Sequence, residues 1–145
     1  SRLIIPSLEI MARDGHSQTG IGEYAKITGP IDGFTEHAFF HKAACSPDGQ
    51  TGAAVINDRL ELGVYIRYNT KELPNLAQWK SMRSGDYAMG IMPSTCYVSG
   101  RSYEKEHGAL KTVNPFEKLR FSLELGVLDG KEQIAANEKS INAKQ

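Results

Sequence analysis

The chain has 145 residues, 40% of them hydrophobic and 23% charged, which is enough for one domain with a buried core. Lysine plus arginine equals aspartate plus glutamate at 17 each, so the charge footprint of a nucleic-acid or anionic-membrane binder is absent. No apolar run approaches the roughly 18 residues of a membrane span. The opening SRLIIPSLEIMARD is too short in apolar residues for a signal peptide, and a cytoplasmic protein is the expectation.

In chain order, the opening stretch reads as short strands. FTEHAFFHKA and TGAAVIN read as two more, joined by CSPDGQ. There Pro47, Asp48 and Gly49 supply a preset φ, an Asx-type turn and a positive-φ site, which predicts a hairpin. LGVYIRYN places Val64, Ile66 and Tyr68 on one face and Tyr65 and Arg67 on the other. NLAQWKSM is another short strand, and GDYAMGIMPST follows as a strand closed by Pro93. Its alternation puts Tyr87, Met89 and Ile91 on one face and Ala88, Gly90 and Met92 on the other, a nearly bare lane with one long side chain at its end.

CYVSGRSYEKEHG reads as a polar loop with Tyr97, Arg101 and Tyr103 around Gly100. LRFSLELGVLDG is the clearest alternation, with Leu119, Phe121, Leu123, Leu125 and Val127 on one face. Residues 1–130 form one domain by this reading. Residues 131–145 form a polar tail, helical or frayed, with too few apolar residues for a buried stripe. Many short strands between Gly and Pro punctuation predict an all-β sandwich or a piece of one.

Few residue groups carry chemistry by spacing alone. Cys45 and Cys96 lie in no metal-binding spacing and read as two isolated thiols, with pairing as the other option. His37 and His41 have the i, i+4 spacing of a helical zinc pair. On the strand expected here they share a face roughly 13 Å apart, too far for one metal. Glu36 and Phe40 take the opposite face. Trp79, flanked by Gln78 and Lys80, is either a core indole or an aromatic platform for a sugar, with polar neighbours for its hydroxyls.

From LPNLAQWKSMRSGDYAMGIMPSTCYVSGRSYEKEHGALKTVNPFEKLRFSLELGVLDG onward the chain resembles the C-terminal part of bacterial aldose 1-epimerase-like (galactose mutarotase-like) proteins, in a branch of undefined activity. GPIDGFTEHAFFH, AAVINDRLELGV and the opening stretch match as well, so the resemblance covers almost the whole chain, as roughly the last half of a longer protein. It implies an all-β, galactose-mutarotase-like β-sandwich, present in part, with a sugar site on a concave sheet. The implied reaction interconverts the anomers of a free sugar by acid–base ring opening, without metal or organic cofactor.

The carry-over is uneven. The family glutamate of Gly-Leu-Glu-Pro falls on Met92, whose thioether cannot take a proton, and the acid histidine has no match, so no catalytic residue is assigned. Gln78, Trp79 and Arg101 match positions expected near the sugar, and Glu36 and His41 join them as substrate-binding candidates from Glu-x-x-Phe-Phe-His. Phe116 stands where the family turn has glycine. The expected partner is a monosaccharide or sugar derivative, with neither nucleic acid nor membrane. Self-association or a partner chain is expected to cover exposed strand edges. A non-catalytic carbohydrate-binding or protein-interaction module remains the alternative, and a scaffold the third.

Overall fold

The computed structural model describes residues 1–144. In chain order it runs β1 (Arg2–Ile4), β2 (Ser7–Ala12), α1 (Gly15–Thr19), a 3-10 turn (Ile21–Glu23), β3 (His37–Ala43), β4 (Gln50–Asn57) and β5 (Leu62–Asn69). It continues with β6 (Asn75–Arg83), β7 (Asp86–Ser94), α2 (Arg101–Glu106), β8 (Leu123–Asp129) and α3 (Lys131–Asn142). Two antiparallel sheets result, in the orders β1-β4-β5-β8 and β2-β3-β6-β7. The expected all-β architecture is present.

The first core lies between the sheets. Leu3, Ile5, Ala53, Tyr68, Leu73 and Leu76 are buried there, with Met89 and Ile91 of β7 packed against them. Alternation along β7 thus sends Met89 and Ile91 inward and leaves Ala88, Gly90 and Met92 on the outer face, as the sequence indicates.

The CSPDGQ segment turns tightly but makes no hairpin. Gly49 takes φ 93° and its N–H donates to the Ser46 carbonyl at 2.8 Å. The strands on either side then part, β3 pairing with β2 and β6, and β4 with β1 and β5. Local turn chemistry fixes the reversal, whereas the crossing is held by longer-range bonds: Ala44 N–H to the Pro6 carbonyl and Thr51 Oγ1–H to the Ala44 carbonyl, both 2.6 Å.

The tail is an ordered helix rather than a frayed one. Ile134, Asn137 and Ile141 of α3 turn inward, and the two isoleucines pack with Ala54, Ile56 and Leu128 on the outer side of the β1-β4-β5-β8 sheet. Two well-placed isoleucines suffice because the sheet supplies the rest of the apolar surface. Arg2 adds a clamp, bonding Glu138 at 2.7 and 3.0 Å and Asp58 at 3.0 and 3.2 Å.

β8 begins only at Leu123, so Leu119 and Phe121 precede it. Its buried residue is Leu128, while Leu123, Leu125 and Val127 are exposed and continue across β5 as Leu62 and Val64. Leu125 is 75% exposed. The face expected to be core is therefore the inner face of a sandwich that is open at this end. Cys45 and Cys96 are both free thiols.

Candidate functional site

The outer face of the β2-β3-β6-β7 sheet is organised in rows set by register. Met11, Phe40, Ala77 and Met92 share one row, and Ala38, Trp79 and Gly90 share the next. Small residues at 38, 77, 88 and 90 leave the face low, and Trp79 rises from its middle. The indole N–H donates to the Glu36 carboxylate at 2.6 Å, and Arg13 reaches the same carboxylate at 3.5 Å while bonding Asp14 at 2.8 Å. Hydrogen bonding to Asp14, and then the charges of Asp14 and Glu36, hold the Arg13 guanidinium above its ordinary value. Trp79 is half-buried, neither a core indole nor a free one.

On one side of Trp79 an open hollow of about 590 Å³ is lined by Phe34, Thr35, Glu36, Ser81, Arg83 and Asp86. On the other side lies the lane of Gly90 and Met92. A methyl group at position 90 would meet Met92 Cε at 3.5 Å and Trp79 Cβ at 3.7 Å, ordinary contacts, so no facing strand presses on the lane. Tyr97 covers the end of the row: its ring stacks on Phe40 with centroids 4.3 Å apart. Burial pushes the Tyr97 phenol up, and the charges of Glu9 and Glu104 push it further.

The sheet separates the candidates. Trp79 and Glu36 are on the outer face and in contact. Gln78 and His41 are on the inner face and fully buried. Gln78 Nε2 donates to the Tyr24 carbonyl at 2.8 Å, which leaves its Oε1 to accept from His41 Nε2 at 3.0 Å. His41 Nδ1 is then the acceptor for the Ser7 hydroxyl at 2.8 Å. Burial pushes the His41 pKa down to about 4, against an opposing contribution from the Gln78 bond. Lys80 also points inward, donating to the Glu23 carbonyl at 2.8 Å. The residues flanking Trp79 in sequence are therefore struts behind the sheet. Strand alternation alone implies this.

Arg101 opens α2 and is exposed. His37 does not meet His41; it stacks on His16 with centroids 4.7 Å apart, and among the described residues no group of three or more His, Cys, Asp or Glu side chains could hold a metal. Burial, then the nearby His16 and Lys80, lowers the His37 pKa. Reasoning from sequence missed Arg13, which reaches the site from the end of β2, where no local motif signals it.

The two-sheet architecture has a counterpart among solved structures. A family model described as "Domain of unknown function (DUF4432)" matches residues 1–127. The chain belongs to the DUF4432 family. The DUF4432 chain also superposes with TM-score 0.94 on the crystal structure of a putative aldose 1-epimerase from Klebsiella pneumoniae subsp. pneumoniae MGH 78578. Sequence identity is 28%, covering 99% of this chain and 38% of that one. The DUF4432 chain thus has part of an aldose 1-epimerase-like β-sandwich, and it spans 38% of that relative's length. A search of curated proteins gives no match. Among the described residues no helix is long and apolar enough to cross a membrane.

Proposed function

We propose that this chain carries the sugar-binding face of an aldose 1-epimerase-like protein, with Trp79 as the platform for a monosaccharide ring. The observation that carries the reading is the Trp79 indole, half-buried and oriented by Glu36, between a hollow of about 590 Å³ and the open Gly90–Met92 lane. An indole so placed offers an apolar face to sugar C–H groups, while Glu36, Ser81, Arg83 and Asp86 around it exchange hydrogen bonds with hydroxyls. Arg101 is proposed as a peripheral contact from α2. Gln78 and His41, fully buried behind the sheet, support it rather than touch the ligand. The uncovered β5–β8 face fits a chain that forms one part of a larger sandwich.

A second reading, a non-catalytic carbohydrate-binding module, is favoured by Met92, which offers no proton acceptor at the rim. Both readings require sugar binding, and one experiment addresses that requirement. Trp79 fluorescence is followed during titration with D-glucose and D-galactose, with Trp79→Ala examined by calorimetry. Saturable binding that weakens about tenfold in Trp79→Ala, equivalent to about 1.4 kcal/mol, is expected. No response to either sugar refutes both readings. Polarimetry on the same sugars separates them, since a binding module leaves the rate of anomerisation at the buffer value.

A further inference from the structure

The inward stripe of α3 is Ile134, Asn137 and Ile141. The isoleucines close on Ala54, Ile56 and Leu128, but the side chain between them is a carboxamide, 4% exposed. Its Oδ1 is buried and accepts no hydrogen bond among the described residues. A buried polar atom without a partner destabilises a fold, and leucine at this position would avoid the cost. Such a group calls for a reason other than packing.

The surroundings supply one. Asn137 borders an open hollow of about 290 Å³ between α3 and the sheet, together with Tyr65, Arg67, Leu128, Gln133 and Ala136. Strand register builds its floor. Tyr65 pairs with Gly126, where a methyl group would come within 2.5 Å of the ring, so the phenol lies across β8. Glu124, the register partner of Arg67, accepts from the Tyr65 hydroxyl at 2.7 Å and from Arg67 Nη1 at 3.1 Å. The Arg67 guanidinium carbon is thereby held 4.7 Å from the Tyr65 ring centroid, with further N–H groups left to donate. Gln133 Oε1 accepts from the Asp129 N–H at 3.2 Å, which leaves its Nε2 as another donor.

These groups define a ligand class. Arg67 is the single charged side chain bordering the hollow, and its planar fork of donors matches a carboxylate. Asn137 Oδ1 requires a donor. A hydroxyl supplies one without setting a second cation beside Arg67, as an ammonium would. Tyr65, Leu128 and Ala136 offer apolar surface to a short carbon skeleton. We propose that the hollow between α3 and the outer side of the β1-β4-β5-β8 sheet binds a small hydroxycarboxylate, its carboxylate on Arg67 and its hydroxyl donating to Asn137. Trp79 stands on the other sheet, so this site is independent of the sugar-binding reading.

The test titrates the full chain with D-glycerate, acetate and glycerol by calorimetry, since acetate carries only the carboxylate and glycerol only the hydroxyls. Trp79 fluorescence and thermal unfolding are measured on the same samples. Glycerate is expected to bind at least tenfold more tightly than acetate or glycerol, with Trp79 emission unchanged. Asn137→Leu weakens glycerate about tenfold and leaves the melting temperature unchanged or raised, because a buried unpaired oxygen has been removed. Arg67→Gln brings glycerate to the level of glycerol. Absence of glycerate binding overturns the inference, as does a saturable Trp79 response to glycerate or a full preference for it in either variant. Should Asn137→Leu fail to fold, Arg67→Gln decides alone, its side chain being 42% exposed in the wild-type chain. The Trp79 platform is tested by neutral sugars and stands or falls separately.

Discussion

Acidification tests the buried polar strut behind the sheet. His41 is fully buried, and its pKa is held at about 4 in the folded chain against an ordinary value of 6.5. Above pH 6.5 neither the folded nor the unfolded chain protonates this ring, so its contribution is fully present. Below 6.5 the unfolded chain takes up a proton that the folded chain refuses until about pH 4, and stability falls across that interval. The difference of about 2.5 pH units, at about 1.4 kcal/mol each, gives roughly 3 kcal/mol. That is a large share of the ~5–15 kcal/mol typical of a domain.

Urea unfolding followed by Trp79 fluorescence at several pH values between 7 and 4 measures it. The wild-type chain should lose stability with a slope approaching 1.4 kcal/mol per pH unit below pH 6. His41→Gln should be less stable at pH 7, because Ser7 and Gln78 lose a shaped partner, yet flatter with pH. His37 is also shifted down and remains in the variant, so the difference between the two curves isolates His41. The lowered carboxylates of Glu23, Asp48 and Asp58 are present in both proteins as well. Parallel curves for the two proteins would refute the assignment of the buried ring as neutral.

Two further expectations concern the surface. Phe116 holds φ 67° and is fully exposed, so Phe116→Gly relieves left-handed strain of about 1–2 kcal/mol and loses no packing. After the added freedom of the unfolded chain, a net gain of up to about 1 kcal/mol is expected, seen calorimetrically as a rise of ~2–4 °C; a fall would contradict it. Replacing Leu125 and Val127 together by lysine should sharply reduce binding of the dye ANS, with stability altered by about 0.5 kcal/mol or less per site. A collapse in the melting temperature would mean that this face is covered.

The parts of the fold legible in the sequence are those that alternation alone decides. Period two along β7 separates Met89 and Ile91 from Ala88, Gly90 and Met92, and along β3 it sets Phe40 against His37 and His41. Alternation cannot say which side is covered. Leu123, Leu125 and Val127 form a regular apolar face, but the inner side of the sandwich is open there, whereas the reverse side of β8 gains α3. The Pro-Asp-Gly turn was readable as a turn, yet turn chemistry does not specify whether the strands leaving it will pair. Gln78 and Lys80 flank Trp79 in sequence, which suggests polar neighbours for a ligand on the indole, yet on a strand the same adjacency puts them on the far side. Phe116 is a different kind of signal, since the glycine expected by resemblance coincides with a positive φ.

Position 92 joins these strands of argument. Met92 is 38% exposed at the end of a lane where nothing in the chain requires glycine at position 90, so the sulfur fills no gap between sheets. It contributes apolar surface beside Met11 and Phe40, not proton transfer. Glu36, the carboxylate in contact with Trp79, is already engaged by the indole N–H and approached by Arg13, so its bonding capacity goes into holding the platform. A face with its aromatic fixed and its rim apolar suits holding the proposed ligand better than proton transfer to it. Met92 offers no proton acceptor at this rim, and the chain spans 38% of the length of the relative on which it superposes.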